Sequence, residues 1–123
     1  MRAYTVATAA VTLNVPSKWL DNVLSQNDIP GVVRVRQGVA RRLTPKAILM
    51  LDLAIHLTRG LDASVPSAIE LATTLSSEGR IRLSSGLTIT ADLALLEAEL
   101  SERLAHAVEI APSPRRGRPP RER

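Results

Sequence analysis

The stretch TVATAAVTLNVPSKWLDNVL, residues 5–24, decides how this chain is read. Residues 7–13 are small and apolar and form a short helix; Thr5 is placed to cap it, because its hydroxyl can accept an unpaired N–H of the first turn. The helix stops at Asn14, and Val15 and Pro16 make a tight turn. Pro16 or Ser17 then opens a second helix that runs through Leu24, since proline in a first helical turn gives up an N–H that has no partner there. Two short helices crossing steeply need a small residue where they nearly touch and apolar residues to lock them. Ala9 and Ala10 supply the close approach, Leu13, Val15, Leu20 and Val23 the lock, and Asn14 tolerates the positive φ of a sharp turn.

Beyond this pair, Ile29, Pro30 and Gly31 break the helical pattern. Val32 to Arg36 alternates Val and Arg, Gln37 and Gly38 turn the chain, and Val39 to Leu43 returns, which predicts a hairpin with a basic rim. Thr44 followed by Pro45 is a cap and first-turn signal for a heavily buried helix carrying Ile48, Leu49, Leu51, Leu53, Ile55 and Leu57 and ending at Gly60. A further helix spans 66–76, with Ile69, Leu71, Ala72 and Leu75 inward and Gly79 past its end. Residues 80–83 and 87–90 alternate across Ser84, Ser85 and Gly86 as a second short hairpin. Asp92 starts an amphipathic helix to about Ile110. Its apolar stripe is Leu93, Leu96, Leu100, Leu104, Ala107 and Val108, with Glu97, Glu99, Glu102 and Arg103 outside and Glu99 spaced to pair with Arg103. From Pro112 the chain holds almost only Pro, Ser and Arg, and disorder is expected there.

The totals bound what such a chain can be. At 123 residues there is room for one compact domain and a tail, and with one Trp, one Tyr and no Phe the core must be aliphatic. No cysteine is present, so disulfides, thiol nucleophiles and cysteine-ligated metals are excluded. The net charge of +4 is unevenly spread. Residues 1–46 carry seven basic side chains against two acidic, residues 47–114 four against nine, and residues 115–123 five against one. Both ends suit a polyanion and the middle does not. No run approaches the ~20 apolar residues of a membrane span. The opening residues are too interrupted by Thr5, Thr8 and Thr12 for an export signal, so a cytoplasmic, nucleoid-associated chain is expected.

These features converge on duplex DNA. The second helix of the pair would face a major groove with Ser17, Lys18, Asp21 and Asn22 outward, Lys18 reaching guanine or phosphate and Asn22 pairing with adenine. Arg34, Arg36, Arg41 and Arg42 follow on a strand pair with no acidic residue from Gly31 to Leu43, a pattern suited to phosphate. An Ala-rich helix pair can also be a plain packing unit, and a charge run a solvated face.

From Tyr4 to about Leu75 the chain resembles the MerR-type winged helix-turn-helix. The resemblance is carried by Thr5, Val6, Ala9, Ala10, Leu13, Asn14 and Val15, by the wing ending Arg41, Arg42, Leu43, Thr44 and Pro45, and by Arg59, Gly60 and Leu61 followed by Val65 to Ile69. It implies a dimer with the second helix in the major groove and the wing on the backbone, making Lys18, Arg41 and Arg42 DNA contacts. Where the family has an Arg-Tyr-Tyr run this chain has Lys18, Trp19, Leu20, Asp21 and Asn22, so those phosphate contacts do not carry over. Trp19 is expected to pack on the core. Without cysteine the metal-sensing branch does not apply.

Arg115, Arg116, Gly117, Arg118, Pro119 and Pro120 resemble an AT-hook, whose core is Arg-Gly-Arg-Pro. A narrow A·T-rich minor groove has enhanced negative potential and admits a thin extended strand. Arg116 and Arg118 are placed to enter it, Gly117 to allow close approach, and Arg115, Arg121 and Arg123 to touch phosphate. A generic basic tail is the plain alternative.

Catalysis finds no support. His56 and His106 lie far apart without a third ligand, Ser84, Ser85 and Gly86 are turn residues, and the glycines form no phosphate-binding fingerprint. The expectation is a non-enzymatic, mainly α winged helix-turn-helix protein with no cofactor and no metal. It comprises a domain over 1–79, a hairpin and helix over 80–111 as a candidate dimerisation element, and a basic tail over 112–123. Its expected partners are double-stranded DNA, with A·T-rich sequence favoured by the tail, and a second copy in a homodimer, with no membrane. Transcriptional regulation fits best. An architectural or recombination accessory factor, or a protein-interaction adaptor or antitoxin, stays open.

Overall fold

The computed structural model describes residues 2–33 and 41–111. Arg34 and Arg36 of the expected hairpin lie outside these residues, as do Arg115, Arg116, Gly117, Arg118 and Arg121 of the tail.

The chain is mainly helical with small antiparallel strand pairs. A two-residue strand, β1 (Tyr4–Thr5), leads into α1 (Val6–Leu13). Thr5 caps α1 by accepting the N–H of Thr8 at 3.1 Å, as its position before the apolar run predicts. Asn14 ends the helix in the left-handed conformation, φ 59° and ψ 49°, and the N–H of Val15 returns to the carbonyl of Ala10 at 3.0 Å. The chain thereby turns within three residues, and α2 (Ser17–Gln26) begins directly after Pro16.

Strands β2 (Val32–Val33) and β3 (Arg42–Leu43) pair antiparallel, and β1 joins the other edge of β3, giving the order β1-β3-β2. The sequence did not indicate β1. Its pairing of Tyr4 with Leu43 ties the start of the chain to the base of the expected hairpin.

Thr44 anchors the next step twice. Its hydroxyl accepts the N–H of Ala47 at 3.3 Å, capping α3 (Pro45–Leu61), and donates to the carbonyl of Gly31 at 2.9 Å. The helix start and the strand pair are thus fixed by one side chain. Helix α3 is buried nearly all round, with Ala47 to Ile55 continuously enclosed, as a central helix must be. It ends one residue later than the expected Gly60. Asp62 takes the left-handed position at φ 57°, so Gly60 stays inside the helix. Asp is among the few non-glycine residues that adopt this conformation at modest cost.

Helix α4 (Val65–Glu78) packs against α3 and buries Ala68, Ile69, Ala72 and Leu75, is capped by Ser64, and ends on Gly79 at φ 79°. The second hairpin follows as β4 (Arg80–Ser84) and β5 (Leu87–Thr90), turned by Gly86 at φ 83° and irregular between Arg82 and Ser84. The N–H of Ala91 closes its base on the carbonyl of Gly79 at 2.8 Å.

Helix α5 (Leu93–Ile110), capped by Asp92, lies against α1 and α3. Leu100 and Ala107 are buried and Leu93, Leu96 and Leu104 half-buried, whereas Val108 is exposed. Much of the apolar stripe is therefore used within the chain's own fold. Arg103 is exposed as expected, but it reaches Asp52 of α3 at 3.4 Å, not the Glu99 with which its spacing would let it pair. The attraction of a buried carboxylate outweighs that of a solvated Glu one turn away.

Candidate nucleic-acid interface

Helix α2 has two unlike faces. Leu20, Val23 and Leu24 are buried and Trp19 packs half-buried against the core, so the opposite side is fixed in orientation. Ser17, Lys18, Asp21, Asn22 and Ser25 are all exposed. The spacing of Lys18, Asn22 and Ser25, four residues and then three, puts them on one stripe of the helix. This stripe offers an ammonium, an amide able to donate and accept together, and hydroxyls, with Asp21 as its one carboxylate. Pro16 makes no side-chain cap to α2, so the first N–H groups of the helix are not taken up by a capping side chain.

The strand pair supplies the second part. On β3, Leu43 is fully buried and Arg42 exposed, the alternation a one-sided strand requires. Arg41 is half-buried at a polar hollow of about 440 Å³ that it shares with Ser25, Gln26 and Asn27 at the end of α2 and with Val32. The hollow shows that the end of α2 and the base of the strand pair adjoin. Asn27 binds back to the carbonyl of Val23 at 3.0 Å through its side-chain amide, fixing the exit of the helix.

Of the residues singled out in the sequence, Ser17, Lys18, Asn22, Arg41 and Arg42 are thus held on neighbouring elements over a shared core. No ion pair engages Lys18, Arg41 or Arg42 among the described residues. These cations remain available to an outside anion.

The sequence reading overlooked Asp52. It stands in an otherwise apolar run on α3, its side chain is 5% exposed, and it receives Arg103 at 3.4 Å on Oδ1 and His56 Nε2 at 3.5 Å near Oδ2. Oδ2 has no hydrogen-bond partner. A single Asp among the eight apolar residues of Ala47–Ile55 was a readable signal, because a carboxylate is rarely buried without a cation. His56 and His106 are exposed, and no group of three or more metal-ligating side chains occurs among the described residues.

No helix among the described residues is long and apolar enough to cross a membrane. No family model, curated protein or solved structure matches the chain.

Proposed function

We propose that the chain is a sequence-specific double-stranded-DNA-binding protein of winged helix-turn-helix type that acts in transcriptional regulation. The observation that carries this reading is the exposed polar stripe of α2, Ser17, Lys18, Asn22 and Ser25, on a helix adjoining the strand pair that bears Arg41 and Arg42. An α-helix fits the major groove, where Lys18 meets guanine acceptors or a phosphate and Asn22 binds the N6 and N7 edge of adenine. Arg41 and Arg42, with Arg34 and Arg36 before them in sequence, neutralise phosphates and fix the register of the helix. Arg115, Arg116, Gly117, Arg118 and Arg121 add a minor-groove anchor at A·T-rich sequence through the AT-hook-like run.

The same reading includes a homodimer. Leu95 and Ile110, on one side of α5, remain exposed after α5 has packed on its own domain, and a second copy would cover them. Sedimentation at low micromolar concentration reads a dimer on this proposal, and a clean monomer removes that part of it.

The deciding experiment is selection of bound sequences from a random duplex pool, followed by fluorescence anisotropy on the recovered site. An enriched motif bound far more tightly than scrambled duplex is expected. Equal affinity for all duplexes would leave only a non-specific, architectural binder, and no duplex binding would refute the proposal.

A further inference from the structure

The sequence from 47 to 114 is acidic as a whole, with four basic side chains against nine acidic, yet folding gathers two of the four on one small surface. On the β4–β5 hairpin, Arg80 pairs with Thr90 and Arg82 with Thr88. Directly opposed residues on antiparallel strands project to the same side, and residues two apart on one strand do so as well. Arg80, Arg82, Thr88 and Thr90 therefore form one face, and all four are exposed. The other face holds Ile81, buried, and Ile89, half-buried, both packed on the core. The hairpin is pinned by its apolar side and displays its basic side to solvent.

No carboxylate pairs with Arg80 or Arg82 among the described residues. Glu78, at the end of α4, borders the same surface without forming an ion pair. The two arginines are about 7 Å apart along the strand, twice the rise per residue. Two guanidinium groups at that separation, flanked by two hydroxyl donors on a rigid ribbon, are suited to neighbouring phosphates of a nucleic-acid strand.

We propose that this hairpin face is a further backbone-contacting surface for duplex DNA, with Arg80 and Arg82 binding phosphate and Thr88 and Thr90 donating to it. The proposal rests on the duplex-binding reading of α2 and β3. It reads no bases, because two flexible cations on a ribbon outside a groove meet only the sequence-independent part of the duplex.

The test measures affinity of the full chain for its selected duplex across a series of salt concentrations. In R80Q/R82Q the slope of log affinity against log salt should fall by roughly two, and affinity at low salt by about tenfold, equally on the selected and a scrambled duplex. R80K/R82K should retain the parent slope, and E78Q should raise affinity a few-fold by removing the neighbouring negative charge. The unfolding midpoint of each variant is measured alongside, and R82Q alone, with a slope change of roughly one, replaces the double variant if that one unfolds. A parent that binds duplex together with a variant of unchanged slope overturns the hairpin proposal and leaves the α2 reading intact. A parent that binds no duplex overturns both. Loss confined to double-stranded RNA or to phosphatidylglycerol vesicles, with duplex DNA unaffected, also overturns it.

Discussion

Arg103 Nη2 reaches Asp52 Oδ1 at 3.4 Å, linking α5 to α3 across a separation of 51 residues. The Asp52 side chain is 5% exposed and that of Arg103 43%, so the pair spans the boundary between core and solvent. Replacing one partner is more damaging than replacing both, because a lone buried charge keeps its desolvation cost without its compensation. Arg103→Met should lower stability by about 1–3 kcal/mol. The double variant Asp52→Leu with Arg103→Met should recover most of that loss. Urea denaturation of the parent and the two variants reads the difference; a double variant no more stable than Arg103→Met would sink this account.

Thr44 and Gly31 form the joint between α3 and the strand pair. Thr44→Ala removes a helix cap and the hydrogen bond to Gly31, with an expected loss of about 1–2 kcal/mol. Gly31→Ala should be worse. Gly31 has φ +92°, and a Cβ there would lie 2.5 Å from Thr44 Oγ1 and 3.1 Å from the Cβ of Ala47. Both variants should also weaken duplex binding, since the joint holds Arg41 and Arg42 in place. Thermal unfolding and anisotropy measured together check this, and a Gly31→Ala protein as stable as the parent contradicts it.

Lys18 and Asn22 on α2 should behave differently from Arg42 on β3 and Arg41 directly before it. Asn22→Ala is expected to cost about 1–3 kcal/mol on the preferred site and to relax discrimination at one base pair. Arg41→Ala and Arg42→Ala should each weaken all duplexes alike and lower the salt slope by about one. If Asn22→Ala lowers affinity equally for preferred and scrambled duplex, α2 is not the base-reading element.

Removal of residues 112–123 should reduce affinity for A·T-rich duplex more than for G·C-rich duplex and make binding less sensitive to salt. Competition between the two duplexes measures it. An equal reduction for both would mean the arginines act only as a diffuse positive charge.

The helix, turn and helix of residues 5–24 were legible because their signals are local. Thr5 caps, Asn14 adopts positive φ, and Pro16 precedes α2, each decided by a few adjacent bonds. The same holds for the Thr44-Pro45 start of α3 and for Gly79 beyond α4. Of the candidate site, the exposed stripe of α2 and the exposure of Arg42 followed from periodicity once the apolar positions were assigned inward. Helix α3 ends one residue past the expected Gly60 because Gly60 and Asp62 both permit a helix to stop, and it is Asp62 that takes the left-handed position, with the N–H groups of Asp62 and Ala63 returning to the carbonyl of Leu57.

What the sequence determined by itself was therefore local: where helices begin and end, which face of each is apolar, and which charges lie close along the chain. The tertiary structure alone decided that β1 joins β3, that α5 packs on α1 and α3, and that Arg103 binds Asp52 in place of Glu99. It also decided that Ile81 and Ile89 of the second hairpin pack on the core, which leaves its arginine side to solvent. Pairing between distant segments depends on packing and desolvation summed over the whole core, and neither quantity is carried by any one stretch of residues.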